Sequence, residues 1–141
     1  MALTQTKCLS YQVELLNAVH NFSTDTFKIA LYTSAAVLNA ATTVYSATNE
    51  VTGAGYVAGG AALTVSQVPI GDTNALVAYM AFANISVPGN VTARGALIYN
   101  ASKANRAVCV LDFGADKTST SGSFPITMPA ATATTALIRI A

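Results

Sequence analysis

Apolar residues near the start of the chain recur at helical spacing. In SYQVELLNAVHNF (10–22), Leu9, Val13, Leu16 and Val19 make one stripe, which Tyr11, Leu15, Ala18 and Phe22 widen. The spacing predicts one α-helix over about 10–22, capped by the Ser10 hydroxyl and packed through its stripe against the rest of the chain. After STDT the period falls from 3.6 to 2. In FKIALYT, Phe27, Ile29 and Leu31 share one face and Lys28, Ala30 and Tyr32 the other, as in a strand with one buried side. Residues 34–50 keep no period and predict irregular chain.

Further strands are predicted at AALTVSQV (61–68), ALVAYMAFANI (75–85), VTARGALIYN (91–100), RAVCVLDF (106–113), SFPITM (123–128) and TALIRIA (135–141). Turn signals separate them: PIGDTN, VPGN, NASKAN, GADKTSTSG and PAATAT. VPGNVT and SKAN stand where hairpin connections are expected, and Pro125 marks SFPITM as an edge strand or a strand entry because it has no N–H for a ladder. The expected fold is mainly β, an antiparallel β-sandwich or jelly-roll-like barrel over about 26–141, with one N-terminal α-helix. At 141 residues, 1–141 reads as a single domain.

Composition changes this picture in one respect. Charged residues are 9% of the chain, against about 25% in an ordinary soluble domain. Their place is taken by 27 alanines, 18 threonines and 10 serines, and the formal net charge is +1. Such a surface sets up little repulsion between copies and suits a protein packed against neighbours. Seven scattered Lys and Arg do not make a basic patch, so no nucleic-acid partner is expected. No apolar run is long enough to span a bilayer, and the start MALTQTKCLSYQ lacks a secretory pattern. The reading is a soluble protein made in the cytoplasm without a membrane partner. On that reading, four N-x-S/T matches, at Asn21, Asn84, Asn90 and Asn100, carry no weight.

Candidate chemistry is sparse. EVTGAGYVAGG (50–60) holds Gly53, Gly55, Gly59 and Gly60, but the spacing is not G-x-G-x-x-G and an extended segment follows rather than a helix. Asp72 falls at the distance of a ribose-binding acid, yet inside the turn PIGDTN, and no Lys-Ser or Lys-Thr completes a phosphate loop. The glycines are therefore read as turn or bulge positions, with Tyr56 and Val57 packed between them. His20, the only histidine, would sit at the helix C-terminus and meet the helix dipole; a Cys109–His20 pair has no further support. Cys8 and Cys109 are expected as buried thiols. Asp112 and Asp116 flank FGA at a strand end. They are read either as a carboxylate pair or as turn residues, with Asp112 meeting Arg94, Arg106 or Lys117. No catalytic, cofactor-binding or metal-binding residue is assigned, and no enzyme signature is found.

FKIALYTSAAVLNAATTVYSATNEVTGAGYVAGGAALTV, followed by TARGALIYNASKANRAVCVLDFGADKTSTSGSFPITMPA, resembles a group of small structural proteins of tailed bacteriophages. The likeness covers nearly the whole length, in the order helix, FKIALYT, TNEV with GYVAGG, ARGALIYN, VLDFG and FPITMPA. It implies a place in the virion and no catalytic residues. The expectation that follows is a head-decoration (cement) protein. Its partners would be the major capsid protein and copies of itself, in a homotrimer or another homo-oligomer. The alternatives are a tail or head–tail-junction component, and a carbohydrate-binding attachment module using the six tyrosines as platforms.

Overall fold

The computed structural model describes residues 3–141. Its fold is mainly β and antiparallel, with one short helix near the N-terminus, as a β-sandwich-like fold requires. The main sheet has the order β1-β8-β7-β2-β3. Its centre is β7 (Thr92–Asn100), paired on one side with the whole length of β2 (Phe27–Tyr32) and on the other with β8 (Arg106–Thr118). Two short strands, β1 (Thr6–Lys7) and β3 (Ala61–Ala62), close its edges. A second sheet has the order β10-β5-β4, from β4 (Val65–Asp72), β5 (Val77–Phe82) and β10 (Ile138–Ile140). β6 (Ile85–Pro88) and β9 (Ser123–Ile126) form a third, two-stranded sheet.

The main sheet is covered on both faces. On one, Phe27, Ile29 and Leu31 stand in register with Asn100, Ile98 and Ala96. There Phe27 stacks on Phe22 with centroids 4.6 Å apart and lies 5.8 Å from Phe82 of β5, so the second sheet packs against this side. On the other face Ala30 and Tyr32 are buried as well, which corrects the expectation of one solvent side. The irregular segment 33–60 covers them, and its Tyr45 stacks on Tyr99 of β7 at 4.8 Å. Long consecutive buried runs in β2 and β7 follow from this double cover.

Several predicted elements shift. The chain of 75–85 is two strands, because it leaves the second sheet after β5 and starts β6 at Ile85, with Asn84 Oδ1 accepting from Met128 N at 2.7 Å. VPGN is not a hairpin: it carries the chain from β6, paired with β9, into β7 of the main sheet. The turn placed at PIGDTN lies further on. β4 passes through Pro69 at a register shift on the sheet edge, where a missing N–H is tolerated, and Asp72 Oδ1 then accepts from Asn74 N and Ala75 N at 2.9 Å. SKAN does make the β7–β8 hairpin, with Ala104 and Asn105 at positive φ. β9 is an edge strand, as Pro125 indicated.

The helix differs most. α1 (Leu9–Leu16) follows an N-cap at Cys8 that makes no side-chain cap bond; Ser10 lies inside it, with Oγ 3.5 Å from Thr42 O. It stops early in a Schellman motif: Val19 N donates to Glu14 O (2.9 Å) and Ala18 N to Leu15 O (3.2 Å), with Ala18 at φ 58°. Its faces are also reversed. Tyr11 and Glu14 are buried, while Leu9, Val13 and Leu16 of the predicted packing stripe are 63%, 52% and 90% exposed. The reason is polar: Glu14 is drawn inward by His20 and Arg106.

Ala18 occupies a left-handed position that glycine adopts without a Cβ penalty. Ala18→Gly is expected to stabilise the chain by about 1 kcal/mol and raise Tm by roughly 2–4 °C, read from thermal melts. An unchanged or lower Tm would contradict this account of the helix end.

Candidate functional site

The glycine segment raised by the sequence is built around a carboxylate. Glu50 is buried, and its Oε2 accepts from Tyr45 Oη (2.7 Å) while Oε1 accepts from Tyr56 Oη (2.7 Å) and Gly59 N (2.8 Å). Tyr56 Oη in turn accepts from Leu31 N (3.0 Å) of β2, and Tyr99 Oη donates to Gly59 O (2.6 Å). Gly59 and Gly60 have φ of 93° and 75°, and a Cβ on Gly60 would lie 1.8 Å from Ile29 O. Thus the glycines let the backbone come down onto β2 and turn a peptide N–H to Glu50. Val57, expected to pack, is exposed. Burial first, then the Glu50 carboxylate, keeps the Tyr45 phenol above its ordinary pKa range. The Tyr56 phenol is raised too, by burial against the opposing Leu31 bond, with Glu50 adding to the rise. The cluster is a clamp of neutral phenols on a buried carboxylate.

A second polar cluster fixes α1. Glu14 Oε2 pairs with Arg106 Nη1, and Oε1 lies 3.1 Å from His20 Nε2. His20 Nδ1 is 3.0 Å from Asn100 Nδ2. The Asn100 amide is oriented by Ser102 N, which donates to its Oδ1 (3.0 Å), and by Asp25 Oδ2, which accepts from its Nδ2 (2.8 Å). An amide nitrogen only donates, so Nδ1 accepts and Nε2 carries the proton toward Glu14. The His20 side chain is fully buried with both ring nitrogens engaged. It does not cap a helix end, as expected from sequence, because α1 ends at Leu16 and the chain returns His20 to Glu14.

Cys109 is not among the hydrogen-bond partners of His20. Cys8, at the N-cap of α1, and Cys109, on β8, are free, buried thiols raised to about 11 and about 12, in both cases chiefly by burial. Thiols held so far above neutral pH are poor nucleophiles. Asp112 takes the turn and ion-pair role: its Oδ1 accepts from Gly114 N (2.9 Å) and Arg94 Nε (3.0 Å), which hold its carboxyl below the usual range. Asp116 stands exposed and makes no side-chain bond with Asp112. Among the described residues, no group of three or more His, Cys, Asp or Glu is arranged to hold a metal ion, and no helix is long and apolar enough to cross a membrane. Of the six tyrosines, Tyr11, Tyr32 and Tyr99 are buried and Tyr45, Tyr56 and Tyr79 are half-buried.

The open surface carries polar clefts, such as one of about 360 Å³ lined by Thr33, Glu50, Thr52, Asn90 and Ser119, as well as apolar ones. A cleft of about 620 Å³ runs between the far end of β8 and β9, walled by Phe113, Phe124, Ile126 and Met128, rimmed by hydroxyls and bearing one cation, Lys117. Its lining includes no carboxylate, imidazole or thiol. A smaller cleft of about 90 Å³ separates α1 from the second sheet, between Tyr11, Leu15, Phe22, Ile138 and Ile140. Tyr11 Oη, at its buried end of the helix, is the one buried side-chain polar atom without a partner among the described residues. The outward stripe of α1 was visible in the sequence as periodicity; its orientation was not, because that depends on where Glu14 is neutralised.

Two measurements test these clusters. Glu50→Ala leaves three donors facing a void and is expected to cost about 3 kcal/mol in urea unfolding, and Glu50→Gln about 1–2 kcal/mol because its amide accepts from some of them; equal stability of all three chains would show that the clamp does not secure segment 33–60. On the acid side, Asp25 is desolvated, which opposes its ionisation, yet bonds from Asn100 and Asn21 N and the charge of Lys103 hold its carboxyl below the ordinary value; Asp112 is lowered as described. Depressed folded pKa values stabilise above the unfolded value of about 3.9 and lose that contribution as pH falls through the folded one. Stability should therefore fall below about pH 4, and Asp25→Asn with Asp112→Asn should make that fall shallower.

Comparison with protein-family models, curated proteins and solved structures finds no match to this chain.

Proposed function

We propose that the chain is a structural protein of a tailed-bacteriophage virion, a head-decoration protein that binds the assembled capsid and stabilises it. The observation that carries this reading is the outward surface. Ten large aliphatic side chains stand exposed, among them Leu16, Val57, Ile70 and Leu76, on a chain with only seven Lys and Arg and six Asp and Glu. Exposed apolar groups in a setting this poor in charge fit a surface covered by other subunits. The resemblance of its ordered motifs to small phage structural proteins supports the same reading.

The interior supports it too. Buried polar groups close on one another: Glu50 on phenols and a peptide N–H, His20 on Glu14 and Asn100, Asp112 on Arg94. Such an arrangement fixes a shape and suits a rigid spacer. The partners are the major capsid protein and copies of the same chain, as a homotrimer or other homo-oligomer. A subunit that binds only the assembled shell stabilises it by mass action. No nucleic acid and no membrane enters this reading.

The test is quantitative mass spectrometry and imaging of virions made with and without the chain. A copy number comparable to that of the major capsid protein, and earlier heat rupture of heads that lack the chain, are expected. A single ring's worth of copies would assign it to the tail or junction instead, and absence from particles would end the proposal.

A further inference from the structure

Helix α1 faces the wrong way for a helix that only supports its own domain. Its polar anchor, Glu14, and Tyr11 point inward, and its three large aliphatic residues point out. Leu9, Val13 and Leu16 follow one another at spacings of four and three, the d-a-d phase of a coiled-coil seam, with β-branched Val between two Leu as two-stranded pairs prefer. We infer that this stripe is a contact between two copies of the chain, each offering α1 to the other. The inference rests on the reading of the chain as a repeating structural subunit and names the surface through which copies meet.

The choice of a second copy follows from the flanks of the seam. Positions beside it, where coiled coils place charges that select a different partner, are Ser10, Gln12 and Asn17. Two identical faces therefore meet without like-charge repulsion, and a twofold axis makes the patch its own complement. A charged partner would find nothing to pair with. A lipid surface is disfavoured, because interfacial helices carry a basic polar face and α1 has no Lys or Arg.

Area sets the strength of the contact. Three aliphatic side chains cover only part of the ~800 Å² per partner that a stable interface hides. The apolar surface continues sideways from the helix into the small cleft at Leu15 and Ile140, the latter 48% exposed, and this flank enlarges the contact. The pair is weak in dilute solution and gains strength where copies are already held side by side, since tethering raises their effective concentration.

Sedimentation velocity of the full chain, from micromolar to on the order of 1 mM, reads this directly. The wild-type mass should rise with concentration. Leu16→Glu and Val13→Lys should keep the monomer mass across the range while retaining the wild-type melting curve, since both side chains already stand in solvent. A wild-type chain that stays monomeric throughout, or variants that associate as the wild type does, would overturn the inference. Particle incorporation is scored separately: association lost in the variants with no chain found on virions would spare this contact and remove the virion reading, whereas chain on virions with unchanged association would do the reverse.

Discussion

The Glu50 carboxylate accepts from two phenols and a peptide N–H inside the layer that covers the Tyr32 and Tyr99 face of the main sheet. That layer, residues 33–60, has almost no regular structure of its own; it touches the sheet through isolated bridges such as Tyr32 with Glu50 and Val44 with Arg106. A segment of this kind pays a large conformational entropy and recovers little from backbone ladders. It stays in place because one buried carboxyl group gathers three donors, and because one of the phenols, Tyr56, is also bonded to Leu31 of β2. With the clamp in place the sheet has two covered faces, and β2 and β7 become a core that no neighbouring subunit has to complete.

The same logic, applied on the other side of the sheet, turns the helix over. Glu14 could have been left in solvent and the aliphatic stripe buried, as in an ordinary amphipathic helix. Instead the carboxylate meets Arg106 at the start of β8 and His20 behind it, and His20 is set by Asn100 on β7, which is set by Asp25. Rotating α1 to bury Leu9, Val13 and Leu16 would break the Glu14–Arg106 pair and leave the buried His20 Nε2 without its acceptor, which offsets part of what the aliphatic burial would return. Closing the helix at Ala18 instead of running on to Phe22 is part of the same arrangement, since the turn brings His20 back over Tyr11, 5.2 Å between ring centroids.

These two clusters mark where the sequence was legible and where it was not. The strands at 27–32 and 91–100, the SKAN hairpin and the edge position of Pro125 rest on backbone and local chemistry, and they read correctly, although the alternation at 27–32 did not show that both faces are covered. The break between β5 and β6, the change of sheets at VPGN and the reversed helix depend on residues far apart in the chain, such as Asn84 with Met128 and Glu14 with Arg106. Periodicity identifies a stripe without saying which side of it is wet. A glutamate opposite the stripe looks like a solvent marker unless its partner, 92 positions away, is known. For the glycine segment, the role of Gly59 as a donor to Glu50 nine positions earlier had no local signal.

Both clusters draw on a small stock of charges and spend part of it inside. Glu14 and Glu50 are buried, and Asp25 is tied to Asn100, so the exterior is left with few charges and with Thr, Ser and Asn as its main polar groups. Hydroxyls and amides keep such a surface wetted without giving it a long-range field, so approach between copies is neither steered nor opposed over a Debye length. Recognition must then come from shape at short range. A hydrophobic contact is non-directional, and a flat apolar patch would join copies in many orientations. A ridge of three aliphatic side chains on a helix anchored through Glu14 restricts those orientations, because knobs fit only a limited set of registers. The Glu14 anchor that inverts α1 thereby also stiffens the surface it exposes, and on the proposed reading this lets a nearly uncharged protein meet its neighbours in one geometry rather than aggregate.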